Sequence, residues 1–281
     1  MEQNAFVVLG PTASGKTAYA IDLARRVGGA VISADSRQVY AGMNIGTAKP
    51  KEAWSTAVHP VTVPDGIDGI PHYMINITSP DTPYTLSEYL AGAKQAMAKV
   101  ASQGLVPVIA GGTMLYVDAL VDGYNIPDVA PNEALRSELE QHSPEALYAM
   151  LLAKDPSAQA FIEPHNTRRI IRALEVFQAT GKPFSELRAK QPSDTVFHII
   201  GLFPDWDILR ERITQRAQEM IDSGLQEEIQ TLQRAFPNSK LLQTMNYKEN
   251  CNVEKMVQSN MRYAHRQMSW WKRRDDIYWI C

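Results

Sequence analysis

A glycine-bearing turn near the start of the chain carries the first indication of chemistry. Residues 10–17 read GPTASGKT and fit the pattern G-x-x-x-x-G-K-[ST]. In that pattern backbone N–H groups surround a phosphate chain, the lysine adds a positive charge and the last hydroxyl reaches a magnesium ion. The pattern predicts phosphate binding without specifying the phosphate compound. The predicted ligands are Gly10, Thr12, Ala13, Ser14, Gly15, Lys16 and Thr17, with the Thr17 hydroxyl also as a metal ligand.

A second polar stretch, SADSRQVY, follows another apolar run and is centred on Asp35. In a phosphotransferase an aspartate here would hold magnesium or orient a hydroxyl. It could equally act as a general base toward a nucleophile that faces the phosphate, or cap the next turn. The side chains of Ser36, Arg37 and Gln38 are suited to hydrogen-bond with base edges and phosphates of a nucleic acid.

Two further stretches could complete such a site. Gly111, Gly112 and Thr113 follow a third apolar run, where paired glycines allow a ligand to approach and the threonine adds a hydroxyl. An ATPase commonly ends this strand in an acidic residue, so Gly-Gly-Thr disfavours that activity. Arg212 and Arg216 lie one helical turn apart. An arginine there could bind a diphosphate through two hydrogen bonds, or simply be solvated.

Basic residues are concentrated in two places. Arg168, Arg169 and Arg172 lie on one predicted helix, which makes their face either a candidate for nucleic-acid phosphates or a solvated surface paired with glutamates. Residues 262–274 contain five Lys/Arg, one histidine and no acidic residue, with Trp270 and Trp271 among them. Aromatic and basic residues together suit RNA, although tryptophans also fill protein cores.

The elements that must position these residues alternate between strands and helices. The apolar runs AFVVLG, GAVISAD and LVPVIAGG predict strands. Helices are predicted over AYAIDLARRV and from Thr85, where Glu88 completes a capping box, to Gly104. This alternation predicts a parallel α/β sheet, whose ligands bind at the carboxyl ends of strands. The phosphate turn, Asp35 and Thr113 should therefore meet in one crevice.

The middle of the chain interrupts this alternation with helical sequence bounded by proline-bearing stretches. We therefore predict an α/β fold with a P-loop NTPase-like parallel-sheet core (1–124 and 192–281) and an all-helical insertion domain (125–191). In the second core part, VFHIIGLF and IYWI predict strands. A long helix there, with Asp205 or Asp207 as its N-cap, should break at Gly224.

Composition limits where the protein works. The 281-residue chain has a net charge of −3, so any nucleic-acid site must be a local basic patch. No apolar run is long enough to span a membrane. No C-x-x-C pair is present, which excludes a zinc ribbon. A strand is predicted almost at the first residue, which leaves no room for a targeting peptide. We expect a soluble cytoplasmic monomer with no membrane association and no obligatory protein partner.

Seven motifs in order connect the chain to a known family. These are GPTASGKT, SADSRQVYAGMNIGTAKP, PHYMINITSP, AGGTMLYVDALVDG, RRIIRALEVFQATGK, RITQRAQEMIDSGLQEEI and YAHRQMSWWKR. Together they closely resemble the bacterial tRNA dimethylallyltransferases, also called tRNA isopentenyltransferases. The resemblance implies transfer of a dimethylallyl group from dimethylallyl diphosphate, with Mg²⁺, to the exocyclic amine of an adenosine. That adenosine lies 3′ of the anticodon, in the anticodon stem-loop of tRNAs reading codons that start with U.

The resemblance also implies a role for each matched residue. Residues 10–17 would bind the diphosphate of the prenyl donor rather than ATP. Asp35 matches the general base, Thr113 a threonine near the diphosphate and target nucleotide, and Arg216 the arginine that clamps the diphosphate. The residues that match tRNA-contacting segments are Asp35, Ser36, Arg37, Gln38, Arg168, Arg169, Ile170, Ile171 and Arg172.

The chain departs from the family pattern at a few positions. Asn246 replaces the usual glycine before Tyr-Lys-Glu, and Asn76 stands where aspartate is common. Asn260, Met261 and His265 replace threonine, arginine and lysine. Three other functions compete with tRNA prenylation: a small-molecule P-loop kinase, an isopentenyltransferase acting on free AMP or ADP, and a catalytically silent RNA-binding relative. The basic insertion and tail favour tRNA over the first two, and the intact motifs disfavour the third.

Overall fold

The structure, a computed structural model, describes residues 3–58, 62–127, 129–187 and 194–280, with the backbone alone for 62–65. It divides into two compact units, one formed by Met1–Val121 with Ser193–Cys281 and the other by Asp122–Pro192. The predicted helical insertion covers 125–191, and its C-terminal limit lies outside the described residues.

The first unit is built on a seven-stranded sheet with the order β3-β4-β2-β5-β1-β6-β7. Among the strand pairs of the described residues, β3 and β4 are antiparallel and the others are parallel. The predicted parallel α/β core is confirmed, although the β3–β4 hairpin was not predicted. The strands are β1 (Gln3–Leu9), β2 (Gly29–Ser33), β3 (Thr62–Ile67), β4 (Ile70–Tyr73), β5 (Val106–Ala110), β6 (Thr195–Leu202) and β7 (Ile277–Ile280).

Buried aliphatic side chains explain why these runs form central strands. Val7, Val8 and Leu9 of β1 are fully buried, as are Val108 and Ile109 of β5. Apolar side chains on both faces are typical of a parallel sheet covered by helices on both sides. Strand β5 lies between β1 and β2, and its last residue, Ala110, is paired with Val8 of β1 on one side and with Ser33 of β2 on the other. The carboxyl ends of β1, β2 and β5 therefore lie side by side.

The helices begin and end at local signals that the sequence contains. The Thr85 side chain accepts a hydrogen bond from the Glu88 N–H, and Glu88 bonds back to the Thr85 N–H, which completes the predicted capping box. Asp205 caps its helix, and Gly224 separates two helices as predicted. The helices are α1 (Lys16–Val27), α2 (Leu86–Ser102), α3 (Met114–Val121), α4 (Glu133–Leu139), α5 (Pro144–Lys154), α6 (Thr167–Thr180), α7 (Phe184–Leu187), α8 (Trp206–Asp222), α9 (Leu225–Ala235) and α10 (Val253–Trp271).

The second unit contains α4–α7 and is helical throughout its described regular structure. Its core is aliphatic and includes Leu147, Leu151 and Ile162. A buried carboxylate, Glu175, accepts two hydrogen bonds from the Arg136 guanidinium, at 2.9 and 3.0 Å. Arg172 also pairs with Glu175, and these bonds hold the pKa of the Glu175 carboxyl below its usual range although burial opposes the shift. The carboxylate therefore joins α4 to α6.

Candidate active site

A cavity of about 630 Å³ opens at the carboxyl ends of β1, β2 and β5. The structure thus brings together the three stretches that the sequence places at strand ends. Its lining includes Thr12, Ala13, Gly15, Lys16, Thr17, Asp35, Ser36, Arg37, Gln38, Thr113 and Arg216. Two of the predicted phosphate ligands, Gly10 and Ser14, are not among the lining residues. A Cβ on Gly10 would lie 2.3 Å from the Leu202 carbonyl oxygen, so glycine is needed there for backbone packing.

The phosphate turn runs directly from β1 into α1. Gly15, in the left-handed region, precedes the first helical residue, Lys16. The first N–H groups of a helix have no partner within it, so they are available to an anion. The Lys16 ammonium donates to the Pro11 carbonyl oxygen at 2.6 Å. The pKa of Lys16 is lowered to about 7, mainly by burial and also by the charge of Arg216, while the carboxylate of Asp35 opposes the shift. A bound anion would therefore raise the pKa of this lysine and favour its protonated form.

Arg216 supplies the second cation from α8. Its side chain is half-buried, and burial lowers the pKa of its guanidinium. Among the described residues the guanidinium makes no hydrogen bond or ion pair, while it contributes to the lining of the cavity. Arg212, one turn earlier, is exposed and lies outside the lining. Of the two arginines that the spacing offered, only Arg216 can meet a ligand in the cavity.

Asp35 and Thr113 follow the neighbouring strands β2 and β5, and both line the cavity. One Asp35 carboxylate oxygen accepts the N–H groups of Arg37 and Gln38, at 2.8 and 3.3 Å, so this carboxylate also caps the following turn. The Thr113 hydroxyl accepts the Ser36 N–H at 2.9 Å and donates to the Ser36 hydroxyl at 3.2 Å. These bonds fix the two stretches relative to each other and keep a carboxylate at the edge of the cavity.

Helix α10 adds cavity residues for which the sequence predicted no role. Asn260, Tyr263 and Gln267 lie three and four residues apart, on one face of the helix, and all three line the cavity. The Tyr263 hydroxyl donates to the Gly112 carbonyl oxygen at 2.9 Å, and burial raises the pKa of that hydroxyl. The signal for Tyr263 and Gln267 was the YAHRQ motif, which supported the resemblance but was interpreted only as part of a basic stretch, and Asn260 was noted only as a departure from the family pattern.

A loop between β2 and the β3–β4 hairpin forms another wall of the cavity. The Glu228 carboxylate, on α9, accepts the N–H groups of Asn44, Ile45 and Gly46 at 3.0, 2.8 and 3.1 Å. The Tyr247 hydroxyl donates to the same carboxylate at 2.8 Å. Four donors on one half-buried carboxylate hold this loop in a single position, which keeps the wall beside Gln38 and Thr47 in place.

The predicted tRNA contacts on α6 require a correction. Ile170 and Ile171 are 0% and 8% exposed and belong to the aliphatic core of the second unit, so their side chains are not available to RNA. Arg168 and Arg169 are exposed. Arg172 pairs with Glu175 and donates to the Val129 carbonyl oxygen at 2.9 Å. The basic face that remains for a ligand consists of the first two arginines.

The residues at the phosphate turn suit a magnesium ion shared with a substrate. Within the described ranges no group of three or more histidine, cysteine, aspartate or glutamate residues could form a metal site made by the protein alone. The Thr17 hydroxyl and the Asp35 carboxylate both line the cavity and are oxygen donors. Magnesium prefers oxygen ligands and is commonly bound by one or two protein groups together with substrate phosphates and water. The donor set therefore fits such an ion.

Fold and cavity together define a P-loop α/β protein in which the phosphate turn faces a carboxylate. The profile of the IPP transferase family matches residues 38–274, and that of the isopentenyl transferase family matches residues 3–59. The chain belongs to the IPP transferase family. This membership confirms the resemblance on which the residue-by-residue predictions rest, and it makes the protein a prenyl-transferring enzyme.

Individual relatives agree with this assignment. The chain is 37% identical over 298 aligned positions to the tRNA dimethylallyltransferase of Geobacillus thermodenitrificans, covering 100% of this chain and 91% of the relative. The crystal structure of the full-length tRNA isopentenylpyrophosphate transferase from Bacillus halodurans matches with a TM-score of 0.68 and 32% identity, covering 100% of this chain and 90% of the other. A eukaryotic dimethylallyltransferase acting on tRNA matches with a TM-score of 0.78 at 24% identity, covering 99% and 73%, which shows the shared P-loop NTPase-like fold.

Within the described residues, no helix combines the length and the apolar character needed to cross a membrane.

Proposed function

We propose that this protein transfers a dimethylallyl group from dimethylallyl diphosphate to the exocyclic amine of an adenosine in tRNA, releasing diphosphate. The observation that carries the proposal is one cavity lined by two cations, Lys16 and Arg216, together with the carboxylate of Asp35 and the hydroxyl of Thr113. The names of the relatives support the same substrates. The target adenosine is the one 3′ of the anticodon in tRNAs that read codons starting with U. The enzyme acts as a cytoplasmic monomer without an obligatory protein partner.

The phosphate side of the cavity stabilises a leaving group. As the allylic carbon–oxygen bond breaks, negative charge grows on the departing diphosphate. The charges of Lys16 and Arg216, with the N–H groups at the start of α1, lie where they can bind that charge. Because the pKa of Lys16 is about 7 in the free protein, arrival of an anionic donor favours its protonated form. The site then holds the donor more tightly as charge develops.

The other side of the cavity handles the acceptor. The adenine amine forms the new nitrogen–carbon bond, and its proton passes to the Asp35 carboxylate as the bond forms. Two backbone N–H groups hold that carboxylate, and Thr113 orients the neighbouring Ser36. A base must leave its stack to enter the cavity, at a cost of about a few kcal/mol. Phosphate contacts from Arg168 and Arg169 would offset part of that cost.

Magnesium completes the proposed phosphate site. The Thr17 hydroxyl would hold it together with the oxygens of the diphosphate and water. When bound, the ion neutralises part of the negative charge that develops on the leaving group. Lys16 and Arg216 provide the same kind of stabilisation from the protein, so the leaving group is surrounded by positive charge on several sides.

Transfer to purified tRNA tests the proposal directly. The protein is incubated with an undermodified tRNA, dimethylallyl diphosphate and Mg²⁺, and the nucleosides are separated by mass spectrometry. We expect an adenosine heavier by one dimethylallyl group in place of hydrogen. Parallel reactions with AMP, with ADP, and with ATP plus a small-molecule acceptor distinguish the competing activities. An unchanged tRNA adenosine, with prenylated AMP or consumed ATP instead, would refute the proposed substrate.

A further inference from the structure

The buried amide of Gln267 joins two neighbouring loops, at the ends of β1 and β5, that both line the cavity. Its Oε1 accepts the N–H of Thr12 at 2.8 Å, and its Nε2 donates to the carbonyl oxygen of Gly112 at 2.8 Å. The side chain is 0% exposed, and it is supplied by α10, 255 residues from the first loop and 155 from the second. One side chain therefore links the phosphate turn to the Gly-Gly-Thr turn.

The chemistry of the two partners suits an uncharged amide of this length. A backbone N–H can only donate and a carbonyl oxygen can only accept, so the bridging group must offer one acceptor and one donor. Glutamine does so. Glutamate would keep the bond to Thr12 but place an oxygen against the Gly112 carbonyl, and methionine would make neither bond. The orientation of the Gln267 amide is thereby fixed by its partners.

Gly112 lies so close to Gln267 that there is no room for a side chain between them. A Cβ on Gly112 would lie 2.5 Å from the Gln267 Nε2, whereas the next neighbour, a carbon of Lys16, would be 3.7 Å away. The backbone of Gly112 lies outside the left-handed region, so its glycine is needed for space and not for conformation. The close approach of Gln267 to the turn therefore depends on the missing side chain.

We propose that Gln267 is a positioning residue that sets the spacing between the diphosphate and the acceptor side of the cavity. The inference rests on the proposed function. Gly112 directly precedes Thr113, whose hydroxyl bonds to Ser36, the neighbour of Asp35. A displaced Gly112 carbonyl therefore displaces the groups that meet the acceptor, while the phosphate turn keeps its own fold. Group transfer is sensitive to such shifts, since misplacement by about 1 Å can cost about 10²-fold in rate.

The first test compares Q267M and Q267E with Q258A, a control on the exposed face of the same helix. We expect Q267M to lower kcat for tRNA prenylation about 10²-fold, while KM for dimethylallyl diphosphate and for tRNA changes less than about 3-fold. Q267E should be at least as impaired, and Q258A should match the wild type. All rates are referred to the folded fraction, measured by thermal unfolding, because a purely structural role would lower kcat only in proportion to that fraction.

The second test uses the match between the two residues. G112A alone should lower kcat because its methyl group displaces Gln267. The double variant G112A/Q267A should be no slower than Q267A, because the methyl group then meets no amide. The inference would be overturned if the double variant lost kcat by the product of the two single losses, or if folded Q267M had the kcat of the wild type. Either result would leave the proposed function intact. An inactive wild type would overturn the proposed function and the inference with it.

Discussion

Asn246 and Asn260 are joined by a hydrogen bond of 2.7 Å from the Asn260 Nδ2 to the Asn246 Oδ1. Asn246 also donates to the Gly46 carbonyl oxygen at 2.9 Å, and Asn260 to the Met256 carbonyl oxygen at 2.8 Å. Both side chains are buried, and both line the cavity. Asn246 has a φ of 72°, in the left-handed region that glycine adopts freely and asparagine tolerates better than most residues. The two departures from the family pattern are thus one coupled change.

The coupling predicts a non-additive effect on stability. N260T removes the donor that satisfies the Asn246 carbonyl oxygen, which should lower the free energy of unfolding by about 1–3 kcal/mol. N246G removes the need for that donor, so the double variant should be more stable than the sum of the single losses indicates. Urea unfolding of the four proteins measures the cycle, with Q258A as the control for substitution on α10. Additive losses would show that the two amides are independent.

The role of Asp35 can be separated from its structural contribution by comparing two variants. D35N keeps an oxygen that can accept the N–H groups of Arg37 and Gln38, but it cannot take a proton from the acceptor amine. We expect kcat to fall about 10²–10⁴-fold while the affinity for dimethylallyl diphosphate stays within about 3-fold. D35A should lose as much activity and also loosen the turn. Rapid-quench transfer assays and titration calorimetry give the two quantities. Full turnover by D35N would exclude Asp35 as the base.

Much of this site could be predicted because its signals are local. Lys16 follows a strand and opens a helix within one short motif, and the apolar runs that end near Asp35 and Thr113 predict strands by themselves. Parallel strands then force their carboxyl ends together, so the sequence alone could assign three separate stretches to one cavity. Capping at Thr85 is equally local, because both partners lie within one turn.

The residues that escaped prediction depend on distant packing. Gln267 is polar and lies on an amphipathic helix, where such a residue is normally solvated. It is fully buried because two loops far away in sequence supply its partners. For Ile170 and Ile171 the sequence suggested a contact with RNA, whereas their side chains are buried. The motif that resembles an RNA-contacting segment also contains the apolar residues that pack α6 into the core of its unit. Sequence similarity assigns a segment, and only packing separates its two faces.

Lys16 should make binding of the donor depend on pH. Burial and the nearby charge of Arg216 lower the pKa of Lys16 to about 7, so the free ammonium is lost as pH rises through that value. An anionic diphosphate raises the pKa again, and binding should therefore take up a proton and weaken as pH rises above about 7. R216A removes a charge that lowers this pKa, and the weakening should begin at higher pH.

Calorimetric titration with dimethylallyl diphosphate between pH 6 and 9, in buffers of different ionisation enthalpy, measures both the affinity and the proton uptake. R212A is the matched control, because Arg212 is exposed on the same helix. An R216A profile that coincides with the wild type would show that the two cations do not interact.

Lys49 should make the free energy of unfolding depend on pH, and a substitution at Asn76 should alter that dependence. Its buried ammonium donates to the Tyr40 carbonyl oxygen and the Asn76 Oδ1, and burial lowers its pKa from 10.5 to about 7, although Glu228 and Asp35 raise it. The unfolded chain then binds more protons between pH 7 and 10.5, so the free energy of unfolding should rise with pH in that window.

N76D restores the residue that is common in the family and gives Lys49 a charged partner. Its carboxylate should raise the pKa of Lys49, so the rise in stability with pH should become smaller than in the wild type. Urea unfolding at pH 7 and pH 9 gives the two slopes. Equal slopes in the two proteins would mean that Lys49 does not titrate in this range.

The exposed arginines of α6 should govern affinity for tRNA without affecting the donor. R168Q/R169Q removes two charges from the surface of the second unit, and we expect KM for tRNA to rise about 10-fold while KM for dimethylallyl diphosphate is unchanged. The dependence of tRNA affinity on salt should become less steep, because fewer counterions are released. K182Q, beyond the other end of the helix, removes one exposed charge and is the control to compare with R168Q and R169Q as single variants. R172Q should instead destabilise the unit, since Arg172 pairs with buried Glu175. Filter binding at several salt concentrations measures the slopes, and unaltered affinity and slope in R168Q/R169Q would assign tRNA binding to another surface.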